Sequence, residues 1–387
     1  MKAKFPVDKF KVLPTPFYYY DTNLLRQTLD VINKETNQYG NFNVHYAVKA
    51  NSNPKILSII KEKGLGADCV SGGEILAALR AGIPANKIVF AGVGKSDWEI
   101  ETGLSAGIFC FNVESVPEME VISELAHKKG VIAHVCVRIN PEVGAHTIKE
   151  ITTGKAENKF GIAMRDMINV IRQTQTLPNL VFEGLHFHIG SQILEYGDFI
   201  ALCERIEELQ QKLDAEHIEV KNINVGGGLG ISYNDPDGKP IPDFKGYFET
   251  YHKHLRLRSG QQVHFELGRS IVGQCGTMIS KVLYIKQGVA KQFAIVDAGF
   301  TELIRPAFYH AVHKMQNLTA YEEQESVYDV VGPICESSDV FAKEYKLKKA
   351  KRGDLIAFRS AGAYGEIMAS QYNCRPLPAS YTTEEID

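Results

Sequence analysis

Cysteine is scarce and unpatterned in this chain. Its seven cysteines are odd in number and widely spaced, with no CxxC pair, so neither a disulfide frame nor a zinc site is expected. They read as reduced thiols of a cytoplasmic protein, and no metal is predicted. Long apolar runs are missing too. No stretch approaches the roughly 18 residues that a membrane span needs, and the first eleven residues are too charged for the core of a signal peptide. The net charge of -3 and the scattered lysines leave no basic stripe for nucleic acid. Internal repeats, low-complexity segments and long linkers are absent. The lysine-rich segment 343–352 reads as a solvated helix or turn and not as a binding patch.

What remains is an ordinary globular composition, 44% hydrophobic and 23% charged. The 387 residues exceed one (β/α)8 barrel of about 250 residues, which leaves room for a second domain. Apolar, strand-like runs fall at 44–48, 67–70, 88–91, 109–113, 133–139, 181–189, 223–225 and 263–267, separated by segments long enough for a helix. Helical spacing is visible at 73–81, at 115–129 and at 199–213, where Leu202, Ile206, Leu209 and Leu213 form a stripe. The pattern predicts an α/β barrel of eight parallel strands. After residue 269 the runs 277–285, 292–296, 327–331 and 354–358 are β-branched or alternating, so the second domain should be mostly β. The aromatic segment Pro16-Phe17-Tyr18-Tyr19-Tyr20 is expected to add a strand to it.

Chemistry on such a barrel gathers at the carboxyl ends of the strands. Lys49 closes the first run, and an amine among apolar neighbours shifts readily to the neutral form that attacks an aldehyde cofactor. A solvated lysine is the plain alternative. Gly226-Gly227-Gly228 follow the seventh run, where backbone N–H groups can close on a phosphate, although a flexible turn has the same composition. His188 ends the sixth run and reads equally as a satisfied core histidine, a role that His186 suits better. Glu266, near Arg269, ends the eighth. An amine, an imidazole, a phosphate nest and a carboxylate beside an arginine are what a pyridoxal phosphate site needs: Lys49 for the aldehyde, His188 against the ring, Glu266 for the pyridine nitrogen.

These residues lie in a longer pattern. Tyr46-Ala47-Val48-Lys49-Ala50-Asn51, His188-Ile189-Gly190-Ser191, Gly226-Gly227-Gly228-Leu229-Gly230, Glu266-Leu267-Gly268-Arg269, Arg305-Pro306-Ala307-Phe308-Tyr309, Cys335-Glu336-Ser337 and Gly362-Ala363-Tyr364-Gly365 occur in that order. With them the chain resembles, over nearly its whole length, the fold type III pyridoxal phosphate decarboxylases, and within them the diaminopimelate decarboxylase family. Leu267 is a departure, since the family usually has proline there. The resemblance implies a cofactor-binding barrel over 31–268, and a β domain of 1–30 with 269–387 that completes the substrate site and the dimer interface. It implies cofactor contacts from Lys49, His188, Ser191, Gly226, Gly227, Gly228, Glu266, Gly268, Arg269 and Tyr364, and substrate contacts from Arg269, Arg305, Tyr309, Glu336 and Tyr364. Cys335 would return a proton to the carbanion left by carbon dioxide.

The implied reaction is pyridoxal 5'-phosphate-dependent conversion of meso-diaminopimelate to L-lysine, the last step of lysine biosynthesis, by a cytoplasmic homodimer with shared active sites. A guanidinium such as Arg305 can grip the far carboxylate in a bidentate manner, although a structural salt bridge is its plain reading. Ornithine or another basic amino acid is the rival substrate, but it has no far carboxylate. Carboxynorspermidine is a further rival. A non-catalytic pyridoxal phosphate carrier would need neither a second β domain nor the Cys335-Glu336 loop.

Overall fold

A computed structural model describes residues 4–144 and 159–386. The chain divides into two compact units, Leu29–Gly230 with Asp243–Gly268, and Met1–Thr28 with Ile231–Pro242 and Arg269–Asp387. The segment Ile231–Pro242, which the sequence reading places inside the barrel, therefore counts with the β unit.

The first unit is a closed ring of eight parallel strands: Phe42–Ala47, Gly66–Cys69, Ile88–Phe90, Cys110–Val113, Ala133–Asn140, Leu180–His186, Asn222–Asn224 and Gln262–Leu267. The first strand pairs with the eighth, in register Glu266 to His45 and Leu267 to Tyr46, and the fourth pairs with the fifth to close the circle. A two-residue strand, Ile162–Ala163, adds to the fifth outside the ring. Serine caps set the helices in phase with the strand ends: Ser71 accepts the Glu74 N–H ahead of the helix Gly72–Arg80, and Ser115 does the same for Val116–Lys129. One expectation needs correcting. The sixth strand stops at His186, so His188 and Ile189 belong to the loop that follows. Phe187 and Ile189 are nevertheless fully buried, and the Phe187 N–H still donates to the Asn224 carbonyl at 2.8 Å, so the apolar run follows burial beyond the end of the strand.

The second unit is an eight-stranded sheet. Its main path runs Met315–Asn317, Leu355–Phe358, Gly276–Gln287, Gln292–Val296, Glu325–Val331 and Val340–Lys348. The N-terminal Phe17–Tyr20 pairs antiparallel with Gly276–Gln287 and parallel with Ala379–Thr382. Phe10, Phe17, Tyr19, Ile279, Leu355 and Ile386 pack into one cluster beneath this join. The lysine-rich segment 343–352 is a second correction: most of it lies in the strand Val340–Lys348, antiparallel to Glu325–Val331. That strand ends the sheet path, and lysines on an edge strand discourage pairing with another chain, so a charged run that looks solvated is compatible with a ladder.

Candidate active site

The barrel unit gathers its polar residues at the strand ends. Lys49 sits in a single turn of 3-10 helix, Val48–Ala50, directly after the first strand. Its amine lies 3.6 Å from Oδ2 of Asp68 on the second strand, with the lysine side chain 39% exposed and the aspartate fully buried. Gly268 explains how the turn can be so tight against the eighth strand: a Cβ there would stand 3.0 Å from that of Ala50 and 3.1 Å from that of Ala47. Leu267, where the family favours proline, is buried and continues the ladder beside Tyr46.

Glu266 is the most heavily supported carboxylate of this group. Asn112 and Asn224 donate their side-chain amides to Oε1 at 3.0 and 2.7 Å, and His186 Nε2 donates to Oε2 at 3.1 Å. Burial alone would raise its pKa, but His186 and then the charge of Lys49 hold it well below the ordinary carboxylate range. His186 is therefore not idle packing. His188 is partly buried, and the Gly227 N–H donates to its Nδ1 at 3.3 Å. Burial, followed by the charges of Lys49 and Arg138, pushes this imidazole well below its ordinary value, so it stays neutral.

The glycine loop is shaped by backbone crowding. A Cβ on Gly227 would fall 1.9 Å from the Glu266 carbonyl oxygen, and Gly226 and Gly228 have φ of +70° and +110°. Only glycine fits such a position. The loop carrying Ser191 is stitched to it, with Ile193 N–H donating to Gly228 O and Gly230 N–H to Ile193 O, both at 2.9 Å. The Gly226 N–H is taken by Asn224 Oδ1 at 2.9 Å. Arg138 and Glu114 complete the polar set as a buried ion pair of 2.7 Å.

The β unit holds a different cluster. Arg269 donates to the Tyr233 hydroxyl at 2.6 Å and lies over the Tyr364 ring at 4.9 Å. Arg305, also buried, lies over the Tyr233 ring at 4.7 Å and donates to His313 Nε2 at 2.9 Å. His313 donates in turn from Nδ1 to the Arg359 carbonyl at 2.9 Å, which fixes the tautomer. Burial and then the Arg305 charge push His313 down to about 3, so it is a neutral acceptor. Among the described residues no carboxylate pairs with Arg305, so the salt bridge of the plain reading is not what holds it. Burial pulls its pKa below the ordinary guanidinium value, and so does the charge of Arg269, with Tyr233, Tyr364 and the half-buried Tyr309 acting in the opposite direction. Tyr364 takes a φ of 55° in its glycine-flanked turn.

Cys335 and Glu336 form a separate, exposed group. The Cys335 N–H donates to Asn373 Oδ1 at 3.1 Å, and Tyr372 donates its hydroxyl to Glu336 Oε1 at 2.6 Å. All seven cysteines are free thiols.

The sequence reading missed Asp68, Asn112, Arg138, Asn224, Tyr233 and His313. A signal for some of them was present. Asp68, Asn112 and Glu266 are each the penultimate residue of a barrel strand that is otherwise largely apolar, and Asn224 is the last residue of its own. Repetition of a polar residue at that register marks a mouth-facing ring.

Comparison with known proteins gives the same picture. Residues 25–273 match the pyridoxal-binding domain of the pyridoxal-dependent decarboxylases. Diaminopimelate decarboxylase of Bacteroides thetaiotaomicron is 67% identical over 386 residues, covering 100% of both chains. The enzyme of the same name from Aquifex aeolicus is 38% identical, over 96% of this chain and 87% of its own. The crystal structure of diaminopimelate decarboxylase from Helicobacter pylori complexed with L-lysine superposes with a TM-score of 0.91 at 40% identity, covering 97% of this chain and 93% of that one. The chain thus belongs to the pyridoxal-dependent decarboxylases, and within them to the diaminopimelate decarboxylase family.

Proposed function

We propose that the protein decarboxylates meso-diaminopimelate to L-lysine and carbon dioxide with pyridoxal 5'-phosphate, the last step of lysine biosynthesis. The observation that carries the substrate is the Arg305 cluster: a buried guanidinium oriented by a neutral histidine and a tyrosine ring, with its charge uncancelled by any acid among the described residues. A carboxylate at the far end of the substrate suits it, and ornithine has none.

The barrel residues fit the cofactor. Lys49 offers a partly exposed amine at a strand end, and Glu266 is a buried carboxylate kept ionised by three donors. The glycine loop tolerates no side chain at Gly227. Lys49 would hold the aldehyde, Glu266 would balance the ring nitrogen, His188 would lie against the ring, and Gly226, Gly227, Gly228, Ser191, Gly268, Arg269 and Tyr364 would secure the phosphate and its surroundings. When bound, pyridoxal phosphate supplies a ring that accepts the electron pair released as the carboxylate leaves. Neutral His188 adds no cation to that face, and buried Glu266 keeps its negative charge without competing water. Arg269, Arg305 and Tyr309 grip the far carboxylate, which fixes the end of the substrate that reacts.

The reading extends to a homodimer with shared sites, in which Cys335 delivers a proton and Glu336 meets the far amino group in the partner's barrel. Both side chains are exposed on the single chain, which supports a role outside it. A cytoplasmic location fits the seven free thiols. The test is carbon dioxide release from purified protein with pyridoxal phosphate. Release from ornithine and not from diaminopimelate would transfer the assignment to the rival substrate.

A further inference from the structure

Asp68 has no part in the scheme so far, yet its surroundings are unusual. It is fully buried in the second strand, and among the described residues neither carboxylate oxygen has a hydrogen-bond partner. Its backbone is fixed by the sheet between Ala47 and Val89, which places it beside the strand that leads into the turn of Lys49. The nearest compensating charge is the Lys49 amine, 3.6 Å from Oδ2. Buried carboxylates are normally hydrogen-bonded, and one left without donors calls for a reason. Glu266 in the same barrel shows the ordinary solution, with three donors.

We propose that Asp68 holds the proton that Lys49 exchanges each time its amine is released and re-engaged, so that it is a positioning residue acting through Lys49. In one direction the O–H bond of Asp68 breaks and an N–H bond forms on Lys49 Nζ, turning a neutral acid and amine into a carboxylate and an ammonium. The reverse step restores both, and no further reactant is needed. The lack of donors is what makes the exchange reversible. A carboxylate with three donors would stay ionised and trap Lys49 as an ammonium, which is not nucleophilic, whereas a carboxyl that is comfortable when neutral hands back a neutral amine.

The charges around Asp68 agree with this role. Burial and then the negative charge of Glu266 on the eighth strand push its carboxyl up to about 8. Lys49 opposes the rise, Glu74 on the helix after the second strand adds to it, and Arg138 on the fifth strand reduces it. Asp68 and Glu266 are thus driven apart, one toward the neutral form and one toward the ionised form, a division that often separates proton carriers from fixed charges.

The proposal rests on Lys49 as the cofactor lysine, and its test separates the two. Apoprotein is exposed briefly to pyridoxal phosphate across the neutral to alkaline range, quenched with borohydride, and the label at Lys49 is quantified by mass spectrometry. In Asp68→Asn the ammonium loses its buried counter-charge, so the midpoint of labelling should move down by about one pH unit or more. Turnover of the holoenzyme should fall about 100-fold with little change in KM, and Asp68→Glu should recover part of it. Label on a different lysine would overturn the reading of Lys49 itself. Label at Lys49 with an unmoved midpoint would overturn only the role of Asp68. Should Asp68→Asn fail to fold, wild-type apoprotein decides by infrared spectroscopy. A carbonyl band of a protonated, weakly hydrogen-bonded carboxyl should persist at neutral pH and fade on the alkaline side, and its absence at neutral pH would contradict the proposal.

Discussion

The barrel unit and the β unit meet the same physical problem with charges of opposite sign. In the barrel, Glu266 is buried and held by two asparagines and a histidine. In the β unit, Arg305 is buried and held by a neutral histidine and the face of a tyrosine. Neither is tied up by a direct Lys, Arg, Asp or Glu ion pair among the described residues, unlike Arg138 with Glu114. Amide and aromatic partners orient a charge without cancelling it. A salt bridge spends the charge inside the protein, whereas a polar cradle leaves it for a ligand. The difference between the units is what they present: the barrel an anion beside an amine, suited to a cationic ring nitrogen, and the β unit paired guanidiniums, suited to a carboxylate.

Removing Lys49 should have the largest effect. Lys49→Ala should abolish turnover, and borohydride should no longer fix the cofactor, whereas in wild type it marks the peptide containing Lys49. Activity surviving in Lys49→Ala would break the barrel half of the comparison.

Next comes the anchor in the β unit. Loss of a hydrogen bond to a charged group costs about 1.5–3 kcal/mol. Since about 1.4 kcal/mol is tenfold in rate, Arg305→Ala should lower kcat/KM for diaminopimelate by roughly ten- to a hundredfold or more. The cofactor absorbance should not change. Full efficiency on diaminopimelate would remove the main reason to prefer it over ornithine.

A finer probe is Tyr233→Phe, which keeps the ring under Arg305 and deletes the hydroxyl that receives Arg269. A net loss of about 0.5–1.5 kcal/mol predicts a two- to tenfold fall in kcat/KM, mostly through KM. A change as large as that of Arg305→Ala would mean that the ring itself has moved.

The assembly test has the smallest expected signal. Mixing inactive Lys49→Ala and Cys335→Ala chains under free exchange should give half heterodimers, each with one intact site, hence about a quarter of wild-type activity. No recovery despite demonstrated exchange would place each site within one chain.

Much of the barrel was legible because a parallel strand buried on both faces is a short apolar run, and Lys49 and Glu266 stand where such runs end. The sixth run extends beyond its strand because Phe187 and Ile189 stay fully buried after the ladder ends at His186, Phe187 keeping one backbone bond to Asn224. The ring of Asp68, Asn112 and Asn224 was overlooked because a single polar residue in a run of three or four looks like noise until the strands are aligned. In the β unit, Arg305 and Tyr364 lie on a short helix and a turn, where no periodicity exists to flag them; a guanidinium among apolar neighbours hints at Arg305, and the resemblance singles out both. Tyr233 and His313 had neither signal. The strand Val340–Lys348 was hidden because edge strands carry the charges that helices and turns also carry.

The Arg305 cluster implies that this chain reads a carboxylate at the far end of its substrate while breaking the bond at the near end. Purified protein with pyridoxal phosphate should be offered meso-diaminopimelate, ornithine, lysine and arginine separately, with carbon dioxide release recorded. Rapid release is expected from diaminopimelate, with L-lysine as the product, and little or none from the other three. Comparable release from ornithine or lysine would contradict it.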